Sequence, residues 1–268
     1  MTEYNSIFDL TGRVAVVTGG AGFLGRHFCK ALSDHGAHVV VVDQEIQSVE
    51  EVASGLNGES MAAAIDLREE EHIADLVAKI VARFGRLDIL HNNAACKPKE
   101  LRQFFKPVEQ FQMDVWREIM SVNIDAMFCV AKHAGGYMAA HGGGAIIQTG
   151  SIYGLVGPDQ RVYKGSDYLG GPINTPAVYS ASKAAVVGLT KHLATYWAEK
   201  GVRVNTLTPG GVESGQNDVF VQKYSARTPL NRMAKPKDMV GALVFLASDA
   251  AEYITGQNIT IDGGLTAW

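Results

Sequence analysis

Six short runs of β-branched and small apolar residues recur along the chain: RVAVVT (13–18), HVVVVD (38–43), MAAAID (61–66), LDILHNN (87–93), GAIIQTG (144–150) and VRVNTLT (202–208). They are almost continuously apolar rather than alternating, the pattern of strands covered on both faces of a parallel sheet. Helix-length segments lie between them, among them GFLGRHFCKALSDHG and EEEHIADLVAKIVARFG. In the second, Ile73, Leu76, Val77, Ile80 and Val81 fall at helical spacing, and Gly85 is placed to stop the helix. Strand and helix in alternation predict an α/β fold: a doubly wound, Rossmann-type parallel sheet. No repeat, low-complexity tract or linker divides residues 1–268, so one domain is expected.

Composition narrows the functions open to such a sheet. A formal net charge of −4 disfavours nucleic acid or an anionic membrane as the main partner. No stretch of eighteen apolar residues without charge exists, so no span is expected, and MTEYNSIFDLTGR lacks the layout of a signal peptide. Cys29, Cys96 and Cys129 have neither metal-ligand nor redox-motif spacing, which predicts reduced thiols in the cytoplasm and no metal centre. Cys96 follows a strand end, where a reactive thiol competes with the commoner reading of an inert, buried one.

The first strand runs into TGGAGFLG. Glycines at such a turn let the backbone approach a pyrophosphate, and the helix that follows offers its unpaired N–H groups. Asp43 closes the second strand 18 residues beyond Gly25, where a carboxylate accepts hydrogen bonds from the adenosine ribose and repels a 2′-phosphate. NAD is therefore expected rather than NADP, with a turn or cap aspartate as the plain alternative. Asp66 has two nearly equal readings, a partner for the adenine amino group or a cap for the helix near Arg68.

Tyr179 and Lys183 stand four apart in YSASK and share one helical face. An ammonium beside a phenol favours the phenolate, which would make Tyr179 a base towards an alcohol and an acid towards a ketone. On its own the pair reads as well as an ordinary surface contact. Taken in order, TGGAGFLG, Asp43, HNNAA, SVNID, QTGSIYG, YSASK and VRVNTLTPGG resemble the short-chain dehydrogenase/reductase family over nearly the whole chain. The resemblance implies that Tyr179 is the catalytic acid/base, that Lys183 assists it and holds the nicotinamide ribose, and that Ser151 bonds the reacting oxygen. It makes Asn123 the residue that bends a helix and supports a proton-relay water. The nucleotide-contacting positions it implies are Gly19, Gly22, Phe23, Leu24, Gly25, Asp43, Asp66, Leu67, Asn93, Ala94, Tyr179, Lys183, Pro209, Gly210 and Val212. Two departures stand out: the glycines are spaced T-G-x-x-G-x-x-G, as in the sugar-nucleotide branch, and Ala95 replaces the last glycine of N-N-A-G.

Ser151 and Tyr179 are 28 positions apart, farther than family members usually place them. Residues 157–176, GPDQRVYKGSDYLGGPINTP, show no regular period; loops this long are usually functional or disordered. With Tyr153, Arg161 and Lys164 as substrate candidates, this loop near 154–176 suits a polyhydroxylated or charged small molecule, with a solvated or subunit-contact loop as the equal rival. A second variable stretch near 212–233 offers Ser214, Phe220, Tyr224 and Arg227, either as a lid or as a helix packing on the domain. The expected activity is hydride transfer between NAD and a secondary alcohol of a sugar, polyol or sugar derivative, with looser similarity to sugar dehydrogenases and flagellin-sugar oxidoreductases. A 3-oxoacyl thioester reductase and a non-catalytic cofactor-binding regulator are the alternatives. The family resemblance also implies a homodimer or homotetramer.

Overall fold

Strands β1 (Val14–Thr18), β2 (His38–Asp43), β3 (Ser60–Ala64), β4 (Ile89–Asn92), β5 (Gly144–Thr149), β6 (Val202–Pro209) and β7 (Asn258–Ile261) pair in parallel in a computed structural model that describes residues 4–268. Their order is β3-β2-β1-β4-β5-β6-β7. The first six coincide with the six apolar runs to within two residues at each end. Strand β7, NITI, has no such run because it is an edge strand, half-buried at every position.

Alternation along each strand feeds two cores. Val14, Val16, Val40 and Val42 pack towards α3 (Glu70–Phe84), α6 (Met127–Ala140) and α7 (Ala177–Trp197). Ala15, Val17, Val39 and Val41 pack towards α1 (Gly25–Asp34), α2 (Ile46–Ser54) and α9 (Pro236–Ala247). Buried on both faces, these strands have no polar face to show in sequence. Helix α3 stops where expected: Gly85 takes φ +75°, and its N–H bonds the Val81 carbonyl at 2.8 Å.

The chain crosses from β3 to the other side of β1 before forming β4, so the connections after β1 and β4 diverge and leave a crevice at the carboxyl ends of the strands. Three short helices belong to the segments around that crevice: α4 (Leu101–Phe104), α5 (Met113–Met120) and α8 (Asp218–Ala226).

The 157–176 segment is pinned on two sides. It holds a 3₁₀ turn, Gln160–Tyr163, and a tight reversal closed by a bridge between Asp167 and Pro172, with Leu169 at φ +51°. On one side Arg102 Nη1 donates to the carbonyls of Tyr168, Gly171 and Pro172 at 3.0, 3.2 and 3.1 Å, and Asn174 Nδ2 donates to the Phe105 carbonyl at 2.8 Å. On the other, Ser166 Oγ donates to Asn217 Oδ1 at 3.2 Å, Lys223 Nζ donates to the Lys164 carbonyl, and Arg227 pairs with Asp159. Val162 shares a small core with Ile152, Phe220, Tyr224 and Met233. Among the described residues, no helix is long and apolar enough to cross a membrane.

Ile146 is fully buried on β5, beneath α6 and α7. Ile146→Ala is expected to lower the unfolding free energy by about 2–5 kcal/mol in guanidinium titration; a loss below about 1 kcal/mol would contradict close packing at this layer.

Candidate active site

At the end of β1 the Thr18 hydroxyl accepts the N–H groups of Asn93 (2.9 Å) and Ala94 (3.0 Å), tying the first turn to the end of β4. Gly19 turns the chain at φ +63°. A Cβ on Gly25 would lie 1.9 Å from the Gly19 carbonyl oxygen, so only glycine lets α1 start against this turn. The first turn of α1 has no side-chain cap, leaving N–H groups of the kind that receive a phosphate. Asp43 is fixed at the tip of β2, where Oδ2 accepts the Ala21 N–H at 3.1 Å and Oδ1 the Gln44 N–H at 2.8 Å. Asp66 turns to Arg68, whose guanidinium engages both carboxylate oxygens and whose backbone N–H adds a bond at 3.0 Å. Asp66 does not cap the helix, whose N-cap is Glu69; it closes a turn with Arg68, and those bonds hold its carboxyl below the usual range.

Ser151 stands two residues beyond the end of β5 in extended backbone, and Tyr179 and Lys183 come from the first turns of α7. Lys183 is only 2% exposed; its Nζ donates to the Thr149 carbonyl at 2.8 Å and lies 6.0 Å from the centre of the Tyr179 ring. Burial pushes this ammonium down from an ordinary 10.5 to about 8. The expected lowering of the Tyr179 phenol is corrected. Burial raises it, a hydrogen bond with Ser151 pulls it partly back, and Tyr163 adds to the rise. Lys183 spends its strongest interaction on the Thr149 carbonyl, so desolvation of the phenol dominates.

Asn123 lies in a π-helical turn, Ser121–Ala126, between α5 and α6. Its Oδ1 accepts the Cys96 N–H at 3.0 Å, and its Nδ2 donates to Ser182 Oγ at 3.2 Å. The π turn widens the helix at this position.

A cleft of ≈ 710 Å³ runs from the glycine turn to α7. Gly19, Gly22, Phe23, Leu24, Gly25, Asp43, Asp66, Leu67, Asn93, Ala94, Pro209, Gly210 and Val212 line it together with Ser151, Tyr179 and Lys183. Gln44, Ile65, Lys97 and Thr149 line it too; the tips of the second, third and fourth apolar runs foretell the first three, whereas the use of the Thr149 backbone carbonyl leaves no mark in sequence. Ala95 has no positive φ, so its methyl is tolerated in place of glycine. Cys96 also lines the cleft, but burial pushes its thiol up to about 11, an inert group.

The loop candidates separate. Tyr153 hydrogen-bonds Ser151 Oγ through its N–H at 3.2 Å. Arg161 lies outside the cleft, paired with Asp159 in a recess shared with Arg227 and the exposed Trp268. Lys164 lines another recess with Lys106 and Trp116. Phe220 and Tyr224 are buried in the small core, which matches the packing alternative, and Ser214 bonds Gln216.

The family model described as enoyl-(acyl carrier protein) reductase matches residues 20–266. A galactitol 2-dehydrogenase (L-tagatose-forming) of Cereibacter sphaeroides is 32% identical over 99% of this chain and 100% of its own length. The chain belongs to the short-chain dehydrogenase/reductase family. Among solved structures of similar fold are a gluconate 5-dehydrogenase from Burkholderia cenocepacia in complex with NADP and tartrate (TM-score 0.86, 30% identity, 99% of this chain and 100% of that one). Another is a short chain dehydrogenase from Leptospira borgpetersenii with bound NAD+ (TM-score 0.86, 31% identity, 99% and 97%). The glycine turn, the uncapped helix start and the fixed Asp43 of this short-chain dehydrogenase/reductase fit a dinucleotide of the same kind.

The depressed Lys183 sets a pH signature. Between about 8 and 10.5 the unfolded chain holds a proton that the folded one has released, so stability rises with pH across that window. Below it both states are protonated and the full penalty is felt. Lys183→Met is expected to abolish this rise and to gain on the order of 3 kcal/mol at pH 7 relative to wild type, read from denaturant titrations at several pH values. Parallel pH profiles for the two proteins would refute a buried, depressed ammonium.

Proposed function

We propose that this protein is an NAD-dependent dehydrogenase that oxidises a secondary alcohol of a polyol, sugar or sugar derivative to the ketone, and runs the reverse reduction. The observation that carries the reading is one cleft with the Ser151–Tyr179–Lys183 cluster at one end and the Asp43 carboxylate at the other. Named relatives that oxidise polyols, such as the galactitol 2-dehydrogenase, support the substrate class.

The glycine turn and the α1 start would hold the pyrophosphate, Asp43 the adenosine ribose, and Lys183 the nicotinamide ribose. When bound, the nicotinamide supplies the hydride acceptor or donor and, oxidised, a positive charge that favours the Tyr179 phenolate. The Tyr179 hydroxyl gives its proton to the ketone oxygen in reduction and takes it back in oxidation. Ser151 Oγ bonds the same oxygen and fixes it against the phenol. Lys183, held by the Thr149 carbonyl, keeps a cation beside the phenol as its charge changes. Asn123, which joins the Cys96 backbone to Ser182 on α7, keeps the bent helix against the catalytic one. Carboxylate repulsion of a 2′-phosphate selects NAD.

The three free cysteines support a cytoplasmic setting. The exposed Phe128 and Tyr196, on the α6 and α7 faces, support a homodimer or homotetramer. Sedimentation at the 28.8 kDa of a single chain would rule the assembly out.

Two measurements test the reading. NADH formation with NAD is expected from polyols and sugars ahead of 3-hydroxyacyl thioesters, with NADP at least about tenfold poorer in kcat/KM, and Asp43→Ser narrowing that gap. Tyr179→Phe is expected to lower kcat by about 10²–10⁴-fold while the NADH dissociation constant, followed by fluorescence, stays within about threefold. Thioesters as the preferred substrates would replace this reading with the reductase one; near-normal turnover by Tyr179→Phe would remove the phenol from the mechanism.

A further inference from the structure

One polar side chain in the valine-rich sheet has no part in the chemistry derived above. His91 is fully buried on β4, where its neighbours across the sheet are Val17 and Ile147 and its ring meets that of Phe28 on α1 edge-on, centroids 4.4 Å apart. Burial keeps the imidazole neutral, pushing it down from an ordinary 6.5 to about 3. Its Nε2 lies 2.9 Å from Thr149 Oγ1, while Nδ1 has no partner among the described residues. An apolar side chain would fill this position without stranding a nitrogen in the core. The reason for a histidine therefore lies in what Nε2 holds.

Donors and acceptors give the contacts a direction. Thr149 donates its one hydroxyl proton to Asn93 Oδ1 at 3.2 Å, so His91 carries its proton on Nε2 and donates to Thr149 Oγ1. With Oδ1 engaged there, the Asn93 amide turns Nδ2 towards the carbonyls of Thr18 and Gly19, at 3.2 and 3.4 Å. These are the carbonyls at which the glycine turn begins, and a Cβ on Gly19 would lie 3.3 Å from the same Nδ2. The Thr149 main chain faces the other way, its carbonyl taking the Lys183 ammonium at 2.8 Å. Pairing of β5 with β6 fixes that main chain whatever the side chain does. The influence of His91 thus falls on the glycine turn, three strand ends away from any contact of its own with the cleft.

We propose that His91 is a positioning residue for dinucleotide binding: through Thr149 and Asn93 it fixes the first peptides of the glycine turn, and with them the direction of the N–H groups that receive the pyrophosphate. The proposal rests on the dehydrogenase reading and adds to it a buried residue that touches neither cofactor nor substrate. Without the imidazole donor, Thr149 Oγ1 loses the bond that sets its rotamer, Asn93 Oδ1 loses a fixed donor, and its amide no longer holds the turn in one orientation. The cost then appears in cofactor affinity, because an anion site made of backbone N–H groups works only while those groups are preorganised. Turnover at saturating cofactor is spared, since the Thr149 carbonyl that holds Lys183 stays in the strand ladder.

The test follows the NADH dissociation constant by fluorescence, on the full-length protein. His91→Leu keeps an apolar volume and removes the donor; the constant should rise roughly 5- to 20-fold, the worth of one or two neutral hydrogen bonds, while kcat at saturating NAD falls by less than about threefold. His91→Gln places an amide N–H where the Nε2–H was, and its constant should stay within about threefold of wild type. Thr149→Val breaks the relay in the middle and should weaken binding as much as His91→Leu, with the double variant no weaker than either alone. A constant unmoved in both His91→Leu and Thr149→Val overturns the relay. So does a His91→Gln protein as weak as His91→Leu, or losses that add in the double variant, because either makes His91 a packing residue only. Should His91→Leu not fold, the Thr149→Val constant decides alone. A wild type that binds neither NADH nor NADPH removes the dehydrogenase reading and the relay with it; wild-type binding that the variants leave unmoved removes the relay alone.

Discussion

Parallel pairing is the constraint on which everything else here depends. With all seven strands running the same way, every carboxyl end lies on one edge of the sheet. The residues just after β1, β2, β4, β5 and β6 therefore meet without being near in sequence. Thr18 shows how tightly the edge is held: its single hydroxyl receives two N–H groups from the residues after β4. An antiparallel arrangement would scatter Gly19, Asp43, Asn93, Ser151 and Pro209 over two edges, and no cleft could collect them.

The second constraint is the buried ammonium of Lys183. Desolvation works against its charge, and among the described residues only the Thr149 carbonyl accepts a hydrogen bond from it. A group kept charged with so few partners has capacity left for a ribose hydroxyl and for the phenol beside it. The same burial acts on Tyr179 in the opposite sense, raising the phenol as it lowers the ammonium. Burial thus drives the two groups' affinities for a proton apart, the phenol's up and the ammonium's down. That divergence comes from geometry, since β5 delivers the carbonyl, α7 both side chains, and the π turn at Asn123 bonds Ser182 of α7.

Much of this was legible in the chain because the signals are local. Continuous valine runs mark strands buried on both faces, and the four-residue step from Tyr179 to Lys183 fixes a common helical face whatever the surroundings. The fifteen nucleotide-contacting positions implied by the family resemblance all line one cleft, thirteen of them at or just beyond strand ends or in the glycine turn, and Tyr179 and Lys183 from the first turns of α7. Other features depend on what the fold brings from far away. Strand β7 was hidden because an edge strand need not be uniformly apolar. The direction of the Tyr179 shift was misread because adjacency in a helix says nothing about desolvation. Arg161 is a substrate candidate in sequence, yet Asp159, two residues before it, already holds its guanidinium. Arg102, which pins the inserted loop by three carbonyls, gave no sign at all, since a donor to backbone carbonyls needs no special sequence partner.

The inserted segment and α8 are best understood together. The inserted segment is poor in regular structure and α8 is a short helix, and ordering them costs about 1–2 kcal/mol for each residue's backbone. They share that cost through contacts between them: Asp159 with Arg227, the Lys164 carbonyl with Lys223, Ser166 with Asn217, and Tyr163 stacked on Phe220. Most of these contacts lie at the surface and are individually weak. Their placement matters more than their strength, because they couple the position of Tyr163 to that of α8. Loop and helix are held as one unit by contacts that neither the sheet nor either helix layer supplies.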